Sequence, residues 1–252
     1  MEKTPDERSS ELIIGRNAVL EAIKSGRAID TLMVARGDRG GSVGKIIGLC
    51  RENGVVIKEV DSRKLDFMCG HSAHQGVIAC AAAHEYAELE DIFSAAEKKG
   101  EPPFIIICDE IEDPHNLGAI IRSADAAGAH GVIVPKRRCS SLTYTVGKAS
   151  AGAVEYVPVV RVSNLSSTID ELKSRNVWIY AADMDGKPWY EQDFGGAVGL
   201  VIGSEGNGVG RLVKEKCDFV VSMPMKGHIN SLNASVAAGI LMFEVSRQRS
   251  IK

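Results

Sequence analysis

No apolar stretch of this 252-residue chain approaches the length of a membrane span. Apolar runs such as Phe104–Cys108 are of strand length, whereas a spanning helix needs about 20 consecutive apolar residues. A basic opening followed by an apolar core is also missing, since residues 1–11 are polar and rather acidic. The expectation is a soluble, unexported, cytoplasmic protein without a membrane partner. No Cys-x-x-Cys pair occurs among Cys50, Cys69, Cys80, Cys108, Cys139 and Cys217. Free thiols, several buried as small hydrophobes, are expected. His71 and His74 lie three apart, with His84 beyond. No Cys or carboxylate completes a familiar ligand spacing around them, so no metal is expected. The phosphate-loop pattern G-x-x-x-x-G-K-[ST] is absent, because Gly44-Lys45 and Gly147-Lys148 both lack its upstream glycine. A surplus of positive charge is lacking too: 30 Lys+Arg face 33 Asp+Glu, a formal net charge of −3. Taken alone, that number argues against a nucleic-acid partner.

What is present is a globular composition, 44% hydrophobic and 25% charged, with length for one large domain or two modest ones. Residues 1–84 alternate short apolar strands with amphipathic helices, a compact α/β unit. Within it Asp61 is placed to cap a short helix running to Met68, and Asn53-Gly54 to stop another. Residues 85–103 are acidic and end in Pro102-Pro103, which predicts a linker, with room for a short helix at Leu89 to Glu97. Residues 104–252 again alternate. Near-continuous apolar strands separated by helices predict a parallel sheet covered on both faces. Ligands of such sheets bind at the carboxyl ends of the strands. The polar loops after Asp109, Ile202 and Ser222 are therefore where chemistry is expected.

The first loop runs Asp113-Pro-His-Asn116-Leu-Gly-Ala-Ile-Ile-Arg122-Ser-Ala. Ordinary strand–turn–helix punctuation explains Asp113, Pro114 and a capping Asn116. It does not explain Arg122, a cation set in an apolar helix, which calls for an anionic partner such as a phosphate. The second loop is Gly203-Ser-Glu205-Gly-Asn-Gly208-Val-Gly210 after a buried strand. Its glycines permit close approach of a ligand to the backbone, but tight packing also uses glycine, and the spacing is not G-x-G-x-x-G. Glu205 inside it is harder to dismiss. The third is Met223-Pro-Met, followed by Asn230-Ser231-Leu232-Asn233-Ala-Ser-Val-Ala. A helix is expected to start near Asn230 or Ser231, and one helix start cannot use Asn230, Ser231 and Asn233 together as caps.

The set D-P-x-N-x-G-x-x-x-R-[ST]-A, then G-[SA]-E-G-x-G, then [IM]-P-M with S-L-N-x-S-x-A resembles the three motifs of the SpoU (TrmH-like) family. These are S-adenosylmethionine-dependent RNA ribose 2′-O-methyltransferases of the SPOUT superfamily. Ile14-Gly15-Arg16-Asn17-Ala18-Val19 and His74-Gln75-Gly76-Val77 resemble that family's L30e-like substrate-binding domain, so the resemblance spans nearly the whole chain. It is closest to the RlmB type, which modifies a guanosine in the peptidyl-transferase P loop of 23S ribosomal RNA. The resemblance implies a C-terminal SPOUT domain tied in a deep trefoil knot, an exception to the rule against threaded loops. It also implies a homodimer formed through that domain, with a site that combines two chains, and no metal. Gly203, Met223 and Leu232 match cofactor-contacting positions. Asn116, Arg122, Glu205, Ser231 and Asn233 match active-site positions. The family's arginine is proposed as general base, yet arginine essentially never loses its proton in proteins. A more physical role for Arg122 is to position a phosphate and stabilise developing alkoxide charge. Arg16, Asn17, Arg36 and Arg39 are candidate RNA contacts, or ordinary surface charge.

Two other classes compete with an RNA methyltransferase. A binding or resistance protein could keep the fold without catalysis, against which stand intact Asn116, Arg122, Glu205 and Asn233. An oxidoreductase could use the loop at Gly203 to Gly210, but it would want an early strand–GxGxxG–helix, which is absent. Transfer-RNA and ribosomal-RNA enzymes share the motifs; the separate N-terminal domain favours 23S ribosomal RNA by analogy. The charge deficit proves local: residues 85–100 hold five acidic and two basic side chains, while residues 1–84 hold 11 and 12. Lys136-Arg137-Arg138, Arg36 with Arg39, and Lys214 with Lys216 are local positive clusters. Folded RNA requires a positive surface, not a positive total.

Overall fold

The structure, a computed structural model, describes residues 12–37, 40–70, 73–81, 84–228 and 230–251. They fall into two compact units. One runs to Glu85 and includes Ser141–Tyr144; the other comprises Tyr86–Ser140 and Thr145–Lys252.

The first unit is a four-stranded sheet of β1 (Leu12–Ile14), β2 (Ile29–Ala35), β3 (Val56–Val60) and β4 (Val77–Ala81), in the order β1-β4-β2-β3. β2 and β3 run parallel, and the other pairs antiparallel. Alternation sorts the side chains by face. Leu32, Val34, Val77 and Ala79 pack under helices α1 (Arg16–Lys24) and α2 (Gly41–Glu52), in one cluster with Val19, Val43 and Ile46. Met33 and Ile78 point the other way, to Leu65 and Cys69 of the α3 region (Ser62–Met68). Asp61 caps α3, accepting the Arg63 N–H at 2.9 Å.

The second unit is a six-stranded sheet, parallel throughout, in the order β10-β8-β9-β5-β6-β7. Its strands are β5 (Phe104–Cys108), β6 (Gly131–Pro135), β7 (Val159–Val162), β8 (Trp178–Pro188), β9 (Val198–Ile202) and β10 (Phe219–Ser222). Every residue of β5 and β9 is buried, as continuous apolar runs in a doubly covered sheet must be. Parallel pairing puts the carboxyl ends of β5, β8, β9 and β10 at one edge, and the motif loops all emerge there.

The helices of this unit are α4 (Leu89–Lys99), α5 (Pro114–Ala126), α6 (Tyr144–Ala149), α7 (Leu165–Ser174), α8 (Arg211–Lys214) and α9 (Ala234–Ser250). Three segments differ from expectation. Residues 86–103 do not form a linker but belong to the second unit. The Ala87 N–H donates to the Val159 carbonyl at 2.9 Å, and α4 buries Ile92 with Ile105, Ile133 and Val160. Gly100, in the left-handed region, ends α4. In α5 the cap is Asp113, which accepts the His115 N–H at 2.9 Å, with Pro114 in the first turn. Asn116 is therefore released from capping. α9 starts at Ala234, with Asn233 as its cap, and not at Asn230 or Ser231. The cysteines are all free, and burial pushes the Cys50 thiol up to about 11 and the Cys139 thiol to about 12. Among the described residues no helix is long and apolar enough to cross a membrane, and no cluster of three His, Cys, Asp or Glu could hold a metal ion.

Ile92 separates a packed helix from a linker. Ile92→Ala is expected to lower the unfolding free energy by about 2–5 kcal/mol, the cost of a buried large-to-small change. Urea titration would show it as a shifted midpoint; a linker residue would give none.

Candidate active site

Three loops meet over the carboxyl ends of β5, β9 and β10, and one carboxylate oxygen joins them. The Asn116 side-chain amide donates to Glu205 Oε1 at 3.0 Å. The Asn233 amide donates to the same Oε1 and, at 2.9 Å, to Asn116 Oδ1. The cap of α9 leaves that amide free for this, because only Asn233 Oδ1 serves the helix, accepting the Ser235 and Val236 N–H groups at 3.0 and 3.3 Å. Glu205 Oε2 has no partner among the described residues, and the residue is exposed.

The glycines of the second loop hold it closed. Ser204 and Gly208 exchange backbone hydrogen bonds at 3.1 and 2.9 Å, with Gly208 in the left-handed region. A Cβ on Gly203 would lie inside the Gly208 carbonyl, so only glycine permits this return. The loop is fastened from below by Asp109. That residue's N–H donates to the Ile202 carbonyl at 2.8 Å, and its buried carboxylate accepts the Gly210 N–H at 2.7 Å. Burial pushes the Asp109 carboxyl above its ordinary value, against the pull of the Gly210 N–H.

Two pockets, each of about 290 Å³, share the wall formed by Ser204, Glu205, Asn207 and Ala234. One is lined by the second and third loops and includes Gly203, Met223 and Leu232, the three positions expected to meet a cofactor. Val221, Met225 and Ala237 add apolar surface. The other opens over Glu110, Asp113 and Asn116, on the first loop. Ser231 lines the first pocket and makes no bond to the Asn116–Glu205–Asn233 cluster. Arg122 is not brought to the cluster within one chain. It sits exposed on α5, six residues or about 9 Å along the axis from Asn116, with no partner among the described residues.

The profile of the SpoU rRNA methylase family matches residues 103–243, and that for RNA 2′-O ribose methyltransferase substrate binding matches residues 12–87. The chain belongs to the SpoU rRNA methylase family. It is 51% identical over 241 residues to the putative TrmH family tRNA/rRNA methyltransferase YacO of Bacillus subtilis (strain 168), covering 95% of this chain and 96% of that one. A crystal structure of the SpoU methyltransferase AviRb from Streptomyces viridochromogenes, in complex with the cofactor AdoMet, is similar with TM-score 0.61 and 25% identity. That match covers 99% of this chain and 95% of the other. An AdoMet-bound rRNA methyltransferase from Sinorhizobium meliloti is similar with TM-score 0.59 and 25% identity, over 97% and 90% of the two chains.

All three loops of this SpoU chain lie within 103–243. In its substrate-binding region, Arg16 and Arg36 flank the start of β4. Gly15 donates to the Val77 carbonyl at 3.1 Å, and Ala35 to the Gly76 carbonyl at 2.9 Å. The Arg16 guanidinium is spent on its own unit, donating to the Gln75 carbonyl at 2.8 Å. Asn17 and Arg36 are exposed, and Arg39 lies outside the described residues, as does His71. Sequence reasoning misses Asp183, which lines the pocket of Gly203 and Met223. A signal for it exists: the residue follows the buried strand run ending at Ala181, at the same carboxyl edge as the other loops.

Asp109 makes a stability prediction with a sign opposite to that of most carboxylates. Its raised native value means the folded state holds the proton more tightly. Its contribution is thus fully present below the ordinary carboxylate range and lost as pH rises through the raised value. Asp109→Asn keeps an acceptor for the Gly210 N–H and is expected to abolish this pH dependence. Asp109→Ala orphans that N–H and is expected to cost about 1–3 kcal/mol at every pH. Urea titrations in mildly acidic and neutral buffer check both.

Proposed function

We propose that this SpoU protein transfers a methyl group from S-adenosylmethionine to a ribose 2′-hydroxyl of RNA, with a guanosine of the 23S ribosomal RNA P loop as its target. The observation that carries the reading is the Asn116–Glu205–Asn233 cluster, whose Glu205 lies on the wall common to two pockets. A methyl donor on one side and a ribose on the other would face each other across it. The relatives' names support an RNA methyltransferase and leave ribosomal and transfer RNA both open; the separate substrate-binding region favours ribosomal RNA by analogy.

The pocket suits the cofactor. Met223, Met225, Leu232 and Val221 offer apolar walls to a flat base, and Glu205 and Asp183 offer negative charge to a cationic ligand. When bound, S-adenosylmethionine supplies a methyl group on a sulfonium. The chain's own work is orientation, which dominates an in-line displacement. Asn116 and Asn233 fix Glu205 so that Oε2 accepts the hydrogen bond of the ribose hydroxyl, aims its oxygen and takes up its proton as that oxygen is methylated and S-adenosylhomocysteine is left. Arg122 stays protonated, holds a neighbouring phosphate and stabilises charge growing on that oxygen.

Arg122 reaches such a site in a homodimer. Val236, Ile240 and Phe243 form an exposed stripe at helical spacing on α9, which packs against the α5 helix that carries Arg122. A second copy covering this stripe would bring its own Arg122 toward the cluster. The proposal also includes a knotted path for the C-terminal unit, which rests on the family match.

Arg122→Ala is expected to lower methyl transfer by about a hundredfold or more and to leave S-adenosylhomocysteine affinity unchanged. Full activity in that variant sinks the assignment. Phe243→Asp is expected to halve the mass measured by light scattering and to remove activity with it. Mapping 2′-O-methyl marks in cells lacking the protein identifies the target: loss of one 23S mark is expected, and loss of a transfer-RNA mark overturns that choice.

A further inference from the structure

β8 leaves its sheet beside the methyl-donor pocket and returns. Its parallel pairing with β10 matches Val220 to Ala181 and then Val221 to Lys187, so residues 182–186 bulge out between two paired positions. Gly186 makes the return possible, since a Cβ there would meet the Val220–Val221 backbone. Irregularities of this kind re-aim side chains next to functional sites. Here the bulge lays Ala182, Asp183 and Met184 along the pocket wall.

Of the two carboxylates on the bulge, Asp185 is 88% exposed, and Asp183 is 17% exposed. The Lys214 ammonium, 29% exposed, sits 2.9 Å from Asp183 Oδ2 and 3.8 Å from Asp185. Holding a pair largely out of water costs desolvation, and a purely structural pair would serve as well at the surface. No described residue donates to Asp183 Oδ1. A carboxylate braced on one oxygen, with the other unclaimed in a ligand pocket, is an acceptor waiting for a donor.

We propose that Asp183 reads the cofactor: its Oδ1 accepts a hydrogen bond from a donor group of S-adenosylmethionine, and Lys214 is the positioning residue that fixes its direction. This rests on the methyl-donor reading of the pocket. The donors available are the ribose hydroxyls, the adenine N6 amino group and the α-ammonium group, and the test separates the nucleoside donors from the ammonium.

Isothermal titration of the full chain with S-adenosylhomocysteine needs no turnover. Asp183→Asn, which keeps the shape and loses the charge, is expected to weaken binding by about tenfold or more. 5′-Methylthioadenosine keeps the ribose and base and lacks the amino-acid arm. An equal loss with that ligand assigns a nucleoside donor, a ribose hydroxyl or the N6 amino group; a loss confined to S-adenosylhomocysteine assigns the ammonium. Lys214→Met, which keeps the carboxylate and removes its brace, is expected to weaken binding several-fold and serves if Asp183→Asn does not fold. Wild-type affinity in either variant overturns the role given to the residue changed. Failure of the wild-type chain to bind S-adenosylhomocysteine would instead overturn the methyl-donor reading, and this inference with it.

Discussion

One carboxylate oxygen, Glu205 Oε1, takes hydrogen bonds from two side-chain amides that lie 117 residues apart in the chain. The rest of the site depends on that shared acceptor. Asn116 comes from the loop after β5, Glu205 from the loop after β9, and Asn233 from the loop after β10. Each is free for the cluster because local structure is satisfied by something else. Asp113 caps α5, the Ser204–Gly208 exchange closes the glycine loop, and the side-chain oxygen of Asn233, not its amide, caps α9. A network of this sort rigidifies when every member is satisfied and is costly when one is not. Parallel pairing of the strands supplies the common edge, and Asp109 ties the first loop to the second beneath it.

Much of this is legible in the amino-acid sequence. The apolar runs Phe104–Cys108 and Val198–Ile202 read as doubly buried strands, and the polar loops after them are the right places to look. Asp113-Pro114 announces the start of α5. What stays hidden depends on tertiary contacts. Leu89, Ile92, Phe93 and Ala96 have helical spacing, but the acidic composition around them and the Pro-Pro behind them favour a linker; only the hole beside Gly131, which Ile92 fills, makes it core. Asn230, Ser231 and Asn233 are equally good caps in isolation, and the bond to Asn116 selects the last. The bulge that turns Asp183 into the pocket is a register shift between strands, and the sequence marks only that Asp183 follows a buried strand run.

Charge follows the same logic. A net −3 spread over the chain would repel RNA, but the acidic excess of residues 85–100 sits largely on α4 and its cap, with Glu90 engaged to Arg175. The arginines that matter are set by position. Arg16 is committed to Gln75, whereas Arg122 is exposed and, among the described residues, unpartnered beside an apolar helix stripe. An unpaired cation next to an exposed apolar stripe is what the homodimer proposed above would use, a second chain completing the site.

The central claim is that this cluster directs a methyl group to a ribose oxygen. The most direct measurement incubates the protein with isotope-labelled S-adenosylmethionine and undermodified ribosomal RNA, digests the RNA to nucleosides and separates them by mass spectrometry. The account predicts label in a single 2′-O-methylated nucleoside, lost in Glu205→Gln. Label on a base, or label retained at the ribose in that variant, would contradict it.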